Sequence, residues 1–271
     1  MAKGEVKAIV IGAAGRMGQR ILAAIHETPF IRLVGAVERK DHPCLGRDAG
    51  EMAGMGKWDV PVVGELRDAL GRGDVIIDFT HAESSLKNLQ VVAEIGKSAV
   101  IGSTGFTSEQ MKEVQELVAK VPCVLSPNMS VGVNVMFKVI ADIARILGEE
   151  YDVEVIEAHH RMKKDAPSGT AMKMGEILAR SLNRDFSQVG TFARRGIIGE
   201  RTRAEIGMQT IRAGDIVGEH TVIFGGIGER LEMIHRAHSR DNFARGALRA
   251  AAWVVKQKPG LYDMQDVLGL K

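Results

Sequence analysis

A chain of 271 residues with 36 basic and 34 acidic side chains carries a formal charge of only +2, too little for the broad positive field of a nucleic-acid-binding protein. Hydrophobic residues at 45% and charged residues at 26% give a globular balance, and the length suits one large domain or two medium ones whose cores need neither disulfides nor metals. No apolar run reaches the roughly 20 residues of a bilayer crossing, the first residues show no secretory signal, and Cys44 and Cys123 lack a CxxC partner, which together predict a cytoplasmic protein with free thiols.

Residues 6–11 read as a short apolar strand, followed at once by Gly12-Ala13-Ala14-Gly15-Arg16-Met17-Gly18. A helix follows over 19–26, with Ile21, Leu22 and Ile25 on one face, and Thr28-Pro29 ends it. Residues 33–37 give a second strand and complete a βαβ unit. In a dinucleotide-binding unit the first glycine makes the tight turn, the second admits the pyrophosphate and the third lets the helix pack closely. The N–H groups that open the helix favour phosphate charge. The spacing is GxxGxxG rather than the commoner GxGxxG, and no Gly-Lys-Ser/Thr closes it, so it is not a P-loop. A purely structural glycine turn is the alternative. Glu38 stands 26 residues after Gly12, just past the second strand, where a carboxylate can accept both ribose hydroxyls of NAD. Arg39 follows, and its guanidinium can pair with the 2′-phosphate of NADP. The pair predicts use of both NADH and NADPH.

The alternation continues with a strand over 74–79, a helix over 84–95 and a strand over 99–101. Thr107 and Gln110 form a capping box before a helix carrying Met111, Val114, Leu117 and Val118, and residues 123–125 give another strand. Apolar strands alternating with helices predict a parallel sheet covered on both faces. Successive strands end in Phe79-Thr80, Gly102-Ser103-Thr104-Gly105 and Ser126-Pro127-Asn128-Met129. Ligands of open parallel sheets bind beyond the carboxyl ends of the strands, which places residues 102–104 and 126–129 on the nicotinamide side.

Beyond residue 130 the texture changes to a long apolar helix over 133–147, then an alternating strand over 153–159 with Val153, Val155 and Glu157 on one side. A helix over 168–182, a polar loop over 191–201 and strands over 203–209, 220–224 and 229–236 predict a second domain with a mostly antiparallel or mixed sheet. A last helix over 243–255, stopped by Pro259-Gly260, fits either domain. The densest polar stretch is His159-His160-Arg161-Met162-Lys163-Lys164-Asp165-Ala166-Pro167-Ser168-Gly169-Thr170. Its cations suit a small anionic substrate, and Ser168, Gly169 and Thr170 open a helix whose N–H donors can take a carboxylate. Lys163 or His159 can supply a proton. A solvated basic loop is the structural alternative. A metal site is not expected: adjacent histidines on a strand face opposite sides, and no cysteine, paired acid or HExxH completes a ligand set. An RNA-binding patch in this domain would lack the aromatic platforms that stack bases.

These blocks resemble the 4-hydroxy-tetrahydrodipicolinate reductase family, formerly called dihydrodipicolinate reductase, of bacterial lysine and diaminopimelate synthesis. The resemblance runs from Val6 to Val255 and is most specific over Glu157 to Ala171, with support from the Gly12 to Gly18 turn, Asp78-Phe79-Thr80, Gly102 to Gly105 and Ser126 to Gly132. It implies an α/β chain: a Rossmann-like parallel-sheet dinucleotide-binding domain over 1–130 plus 240–271, and an α+β substrate-binding and oligomerisation domain with a mixed sheet over 131–239. It also implies a homotetramer that reduces 4-hydroxy-2,3,4,5-tetrahydrodipicolinate to tetrahydrodipicolinate with NADH or NADPH, releasing water. Carried over by position, Gly12, Ala13, Ala14, Gly15, Arg16 and Met17 would hold the pyrophosphate, and Glu38 and Arg39 the adenosine ribose. Gly102, Ser103 and Thr104, then Ser126, Pro127, Asn128 and Met129, would line the nicotinamide side. His159 would be the acid–base residue and Lys163 the proton donor, while His160, Gly169 and Thr170 would bind the substrate carboxylates. The chain departs from the family pattern at three places. His81 stands where an arginine is common, which weakens the case for an NADPH preference if that position holds the 2′-phosphate, Met162 replaces a histidine, and Met129 an aromatic residue. Two other readings are another NAD(P)-dependent reductase of similar plan acting on a different acid, such as an aspartate-type dehydrogenase, and a nucleotide-binding regulator that senses the NADH/NAD ratio. The intact His159 and Lys163 cluster argues against the regulator.

Overall fold

The computed structural model describes residues 5–271, so the opening four residues, on which the reading of no secretory signal partly rests, lie outside the described residues. The chain divides into two units, one running to Val131 and resuming over Arg240–Lys271, the other Gly132–Ser239.

The first unit runs β1 (Val6–Ile11), α1 (Arg16–His26), β2 (Ile31–Val37), α2 (Ala49–Met52), β3 (Val62–Val63), α3 (Leu66–Leu70), β4 (Val75–Asp78), α4 (Ala82–Ile95), β5 (Ser98–Ile101), α5 (Ser108–Val118) and β6 (Pro122–Leu125). The second contains nearly all of α6 (Val131–Leu147), then β7 (Asp152–His159), α7 (Gly169–Ser181), α8 (Phe186–Val189), β8 (Gly190–Thr191), β9 (Ile206–Arg212), β10 (Gly218–Gly226) and β11 (Glu229–Ala237). The chain then returns to the first unit with α9 (Asp241–Val254), β12 (Gly260–Tyr262) and α10 (Met264–Leu268).

Among the described residues the first unit holds a seven-stranded sheet in the order β12-β6-β5-β4-β1-β2-β3, and each pairing is parallel. The strands are apolar on both faces because both are covered. Ala8 and Val10 of β1 join Ile21, Leu22, Ala247, Leu248 and Ala251 in one core against α1 and α9. Ile9 and Ile11 join Leu70, Leu89, Val92 and Val114 in the other, against α3, α4 and α5. The helix whose sequence fits either domain therefore packs in this unit. Strand order reverses at β1, which has β2 on one side and β4 on the other, and at that reversal the carboxyl ends of neighbouring strands diverge to leave a crevice.

The second unit holds a mixed sheet in the order β11-β10-β7-β9-β8, with β10 antiparallel to both β11 and β7 while β9 is parallel to both β7 and β8. Register makes one face of this sheet change character along its length. Val153 and Val155 align with Ile206 and Met208 on β9 and with Phe224 and Val222 on β10, all buried with Met136, Ile140, Met174 and Leu178 from α6 and α7. Two residues on, the same face presents Glu157 and His159 beside Thr210 and Arg212, with His220 across from Glu157. β9 begins three residues later than the expected 203–209 because the Arg201 side chain donates to the carbonyls of Thr202 and Glu205 and holds that stretch in a turn.

Candidate active site

In the first unit the glycine turn leaves β1 at the strand-order reversal. Gly12 has φ +69°, and a Cβ on Gly18 would lie 2.1 Å from the Gly12 carbonyl oxygen, so α1 can start against the turn only with glycine at both positions. The turn uses its own donors. Gly12 and Ala13 donate to the Val37 carbonyl at 2.9 and 3.1 Å, Gly15 donates to Gly12 at 2.9 Å, and Ala14 donates to Glu38 Oε2 at 3.1 Å. Arg16 and Met17, which open α1 after Gly15, then offer backbone N–H groups with no hydrogen-bond acceptor among the described residues. Ala13 is fully buried in the core. Glu38 also accepts from the Arg39 N–H at 3.0 Å, and the Arg39 guanidinium pairs with Asp41 at 3.1 Å.

A cleft of about 500 Å³ joins these parts: Gly12 and Gly15, Glu38 and Arg39, and Thr80 and His81 all line it. A glycine turn with two unpaired N–H groups, a ribose-level carboxylate and a cleft at the strand-order reversal fit a dinucleotide. A larger groove, about 820 Å³, lies at the opposite, amino-terminal edge of the sheet around Lys7, Arg32 and Arg72, and contains none of the glycine-turn residues.

Behind the cleft lies a polar chain that links Asp78, Thr80 and Ser103, named in the sequence reading, through Asn88 and Ser85, which that reading left out. The Asp78 carboxylate, fully buried at the end of β4, accepts from the Thr80 N–H and hydroxyl at 2.9 and 2.6 Å and from Asn88 at 2.8 Å. Thr80 reaches Ser85 at 3.4 Å, and Ser85 reaches Ser103 at 2.6 Å, tying the end of β4 to the end of β5. Gly102 is required because a Cβ there would strike the Phe79 ring. Of the other residues expected on the nicotinamide side, Thr104 and Pro127 are exposed and Asn128 is half-buried. The Ser126 hydroxyl donates inward to the Asn128 carbonyl at 3.0 Å, and Met129 is buried in the core. Met129 thus packs where an aromatic residue would otherwise stand.

In the second unit His159, His160, Lys163, Gly169 and Thr170 lie between the end of β7 and the start of α7. Ser168 caps that helix, its hydroxyl accepting from Ala171 N–H at 3.2 Å. Lys163 Nζ pairs with Asp165 at 2.9 Å, and the Lys163 N–H donates to the His160 carbonyl at 3.0 Å, which curls the loop beside the strand end. The Ala166–Pro167 peptide is cis. His160 Nδ1 is buried with no partner among the described residues. His159 Nδ1 lies 2.5 Å from Glu157 Oε2. Burial works against the Glu157 charge, but hydrogen bonds from His159, Arg212 and the Ser168 N–H hold its carboxyl at about 2. His220 meets His159 edge-on at a ring separation of 5.3 Å, and burial followed by the facing His159 lowers it to about 3. Glu157 was visible in the motif, but Arg212, Thr210 and His220 come from β9 and β10 and carry no local signal. The two-residue spacing of Glu157 and His159 on a strand, which puts both on one face, was the one clue available.

A family model described as dihydrodipicolinate reductase, N-terminus, matches residues 6–129, and one described as dihydrodipicolinate reductase, C-terminus, matches residues 132–268. The chain belongs to the dihydrodipicolinate reductase family. Curated relatives agree over nearly full length. A 4-hydroxy-tetrahydrodipicolinate reductase of Syntrophus aciditrophicus is 57% identical over 98% of this chain and 99% of its own. One of Geotalea uraniireducens is 61% identical over 98% and 100%. The fold is shared with a dipicolinate-bound dihydrodipicolinate reductase from Paenisporosarcina sp. TG-14, at a TM-score of 0.75, 24% identity, and coverage of 97% of this chain and 98% of that one. As a member of this family, the protein is a pyridine-nucleotide-dependent reductase.

Proposed function

We propose that this protein reduces 4-hydroxy-2,3,4,5-tetrahydrodipicolinate to tetrahydrodipicolinate, with release of water, in diaminopimelate and lysine biosynthesis. The observation that carries the reading is the second-unit cluster. An imidazole held by a buried carboxylate stands beside a lysine and a capped helix N-terminus, a set suited to a small dicarboxylate that must take up a proton. Residues 12–17, 38 and 39 hold the nucleotide, and residues 102–104 and 126–129 line its nicotinamide end. When bound, the reduced nicotinamide supplies a hydride to ring C4 of the substrate. His160, Gly169 and Thr170 bind the ring carboxylates through an imidazole and backbone N–H groups. Loss of the 4-hydroxyl together with a proton from C3, as water, leaves a conjugated imine, so hydride addition at C4 makes C3 the basic ring carbon. His159 or Lys163 delivers a proton there, which completes a two-electron, two-proton-equivalent reduction. The site works with either NADH or NADPH and favours NADH, because Asp41 engages the Arg39 guanidinium and His81 replaces a common arginine.

A homotetramer fits the second unit. Ile211 and Ile234 are exposed on the sheet face turned away from α6 and α7, where another copy of the chain can cover them. A cytoplasmic location fits the two free, buried cysteines. The test of the reaction is to mix the protein with freshly prepared aspartate-semialdehyde and pyruvate condensation product and follow NADH and NADPH oxidation separately. Oxidation of both, faster with NADH at limiting coenzyme, is expected. Oxidation of neither would reopen the readings as a reductase of another acid or as a nucleotide sensor.

A further inference from the structure

We propose that Glu157, clamped by Arg212, is a positioning residue that fixes the tautomer and ring direction of His159 and ties it to the start of α7. The inference rests on the reading of His159 as an acid–base group. Glu157 is fully buried, yet it sits among four donor residues from three segments of the second unit, β7, β9 and the start of α7. Arg212 Nη1 and Nη2 donate to its two oxygens at 2.9 and 2.8 Å, the Ser168 N–H donates at 3.0 Å, and the Thr210 hydroxyl at 3.3 Å. The remaining contact is His159 Nδ1 at 2.5 Å.

An ionised carboxylate is acceptor-only, so His159 must carry its proton on Nδ1 and leave Nε2 as the exchangeable nitrogen. Nε2 is turned toward β10, where a Cβ on Gly218 would lie 3.1 Å from it; the absent side chain gives the ring its room. A buried carboxylate facing only an imidazole would take up a proton itself. The two-pronged Arg212 contact removes that option, because a guanidinium matches both oxygens at once. Arg212 in turn donates to the Ile211 carbonyl at 2.8 Å and the Asp165 carbonyl at 2.6 Å, so it also holds the loop that carries the ion-paired partner of Lys163. Against His159 stand Glu157 on its own strand and His220 from β10; Arg212 from β9 pairs with Glu157, and Lys163 of the loop, paired with Asp165, acts on His220. Glu157 alone both touches the imidazole and is held by an opposite charge. If Glu157 served only to anchor α7, a glutamine would serve as well, since its amide oxygen still accepts from the Ser168 N–H. With that oxygen turned to the Ser168 N–H and Arg212 Nη2, the glutamine amide takes the place of the oxygen that faces His159, where it can donate to Nδ1 and reverse the tautomer.

The test combines the imidazole nitrogen chemical shifts of 15N-histidine-labelled wild-type protein with steady-state kinetics of Glu157→Gln across pH. The wild type is expected to show His159 as the Nδ1–H tautomer when neutral. Glu157→Gln is expected to lose about 100-fold in kcat, to move the limbs of its pH profile, and to keep its NADH Kd within about twofold. A neutral His159 protonated on Nε2 in the wild type overturns the proposal. So does a folded Glu157→Gln enzyme whose kcat falls less than about tenfold or whose pH profile stays in place. Should that variant not fold, the wild-type tautomer still decides. A wild type that oxidises neither coenzyme would remove the functional reading instead and leave the tautomer result standing.

Discussion

In the ribose role proposed for it, Glu38 would serve both the scaffold and a ligand. One oxygen accepts from Ala14 in the glycine turn and the other from the Arg39 N–H, which leaves a lone pair on each for the two ribose hydroxyls. Glu38→Ala removes both, so NADH should bind about 10- to 100-fold more weakly while a pyridine dicarboxylate, bound by the second-unit cluster, holds its affinity. Calorimetric titration checks this, and equal loss of both ligands would end the ribose assignment. Arg39 adds a second residue-scale prediction. Its contact with Asp41 is exposed and therefore weak, so Asp41→Asn should raise NADPH affinity a few-fold with NADH unchanged. Unchanged NADPH affinity in a fluorescence titration would show that Asp41 does not set the preference. Both residues could be proposed from the sequence because the roles assigned to them depend on distance from a glycine turn along one βαβ unit. Arg212 was not, since its role depends on the register of β9 against β7, more than 50 residues away.

The elements of the two-sided core could be read: β1, β4 and β5 are mostly buried aliphatics, and α4, α5 and α9 repeat apolar residues at helical spacing. Those between β2 and β4 could not. β3 has two residues, α2 four and α3 five, and each is held by its surroundings rather than by its own pattern. Asp48 illustrates this. Its carboxylate accepts from the N–H groups of Gly50, Glu51, Trp58 and Val60, folding α2 and the loop before β3 around one side chain. β12 and α10 follow Pro259-Gly260, which reads as an end, because the partner that makes a strand of Gly260–Tyr262 is β6. The best test at this scale is the seat of α1. Gly18→Ala places a methyl 2.1 Å from the Gly12 carbonyl oxygen and within 2.8 Å of the Ala13 backbone, with no flexible side chain to give way. The helix must move off the turn, at about 1–3 kcal/mol. Thermal unfolding should shift down by several degrees. NADH binding should weaken as well, because the Arg16 and Met17 N–H groups move with the helix. A variant with wild-type melting temperature and NADH affinity would show that the close approach is unimportant.

For the whole molecule, buried ionisable groups decide how folding responds to acid, and the second unit carries two, Glu157 and His220, whose titration in the acid range is strongly displaced. Glu157 is held at about 2 against an ordinary 4.5, so its contribution to stability is complete above about 4.5 and is lost as pH falls toward 2. His220 is held at about 3 against 6.5, first by burial and then by His159, Lys163 and His235 around it, with Glu157 pulling the other way. The unfolded chain takes up a proton at this histidine near pH 6.5 while the folded chain stays neutral down to about 3, so stability falls with pH through that window too. His235, lowered by burial and by His238, acts in the same sense. The second unit should therefore weaken first on acidification. Trp58 and Trp253 both lie in the first unit, so far-ultraviolet circular dichroism should begin to change before tryptophan fluorescence does. His220→Gln keeps a side chain able to bond the Ser168 hydroxyl, which His220 Nε2 contacts at 3.3 Å, and removes the titration. Its melting temperature should consequently fall less steeply than that of the wild type between pH 6.5 and 4.5, above the range where Glu157 takes up its proton. Parallel slopes for the two proteins in differential scanning calorimetry over that interval would exclude His220 as the source of the acid sensitivity.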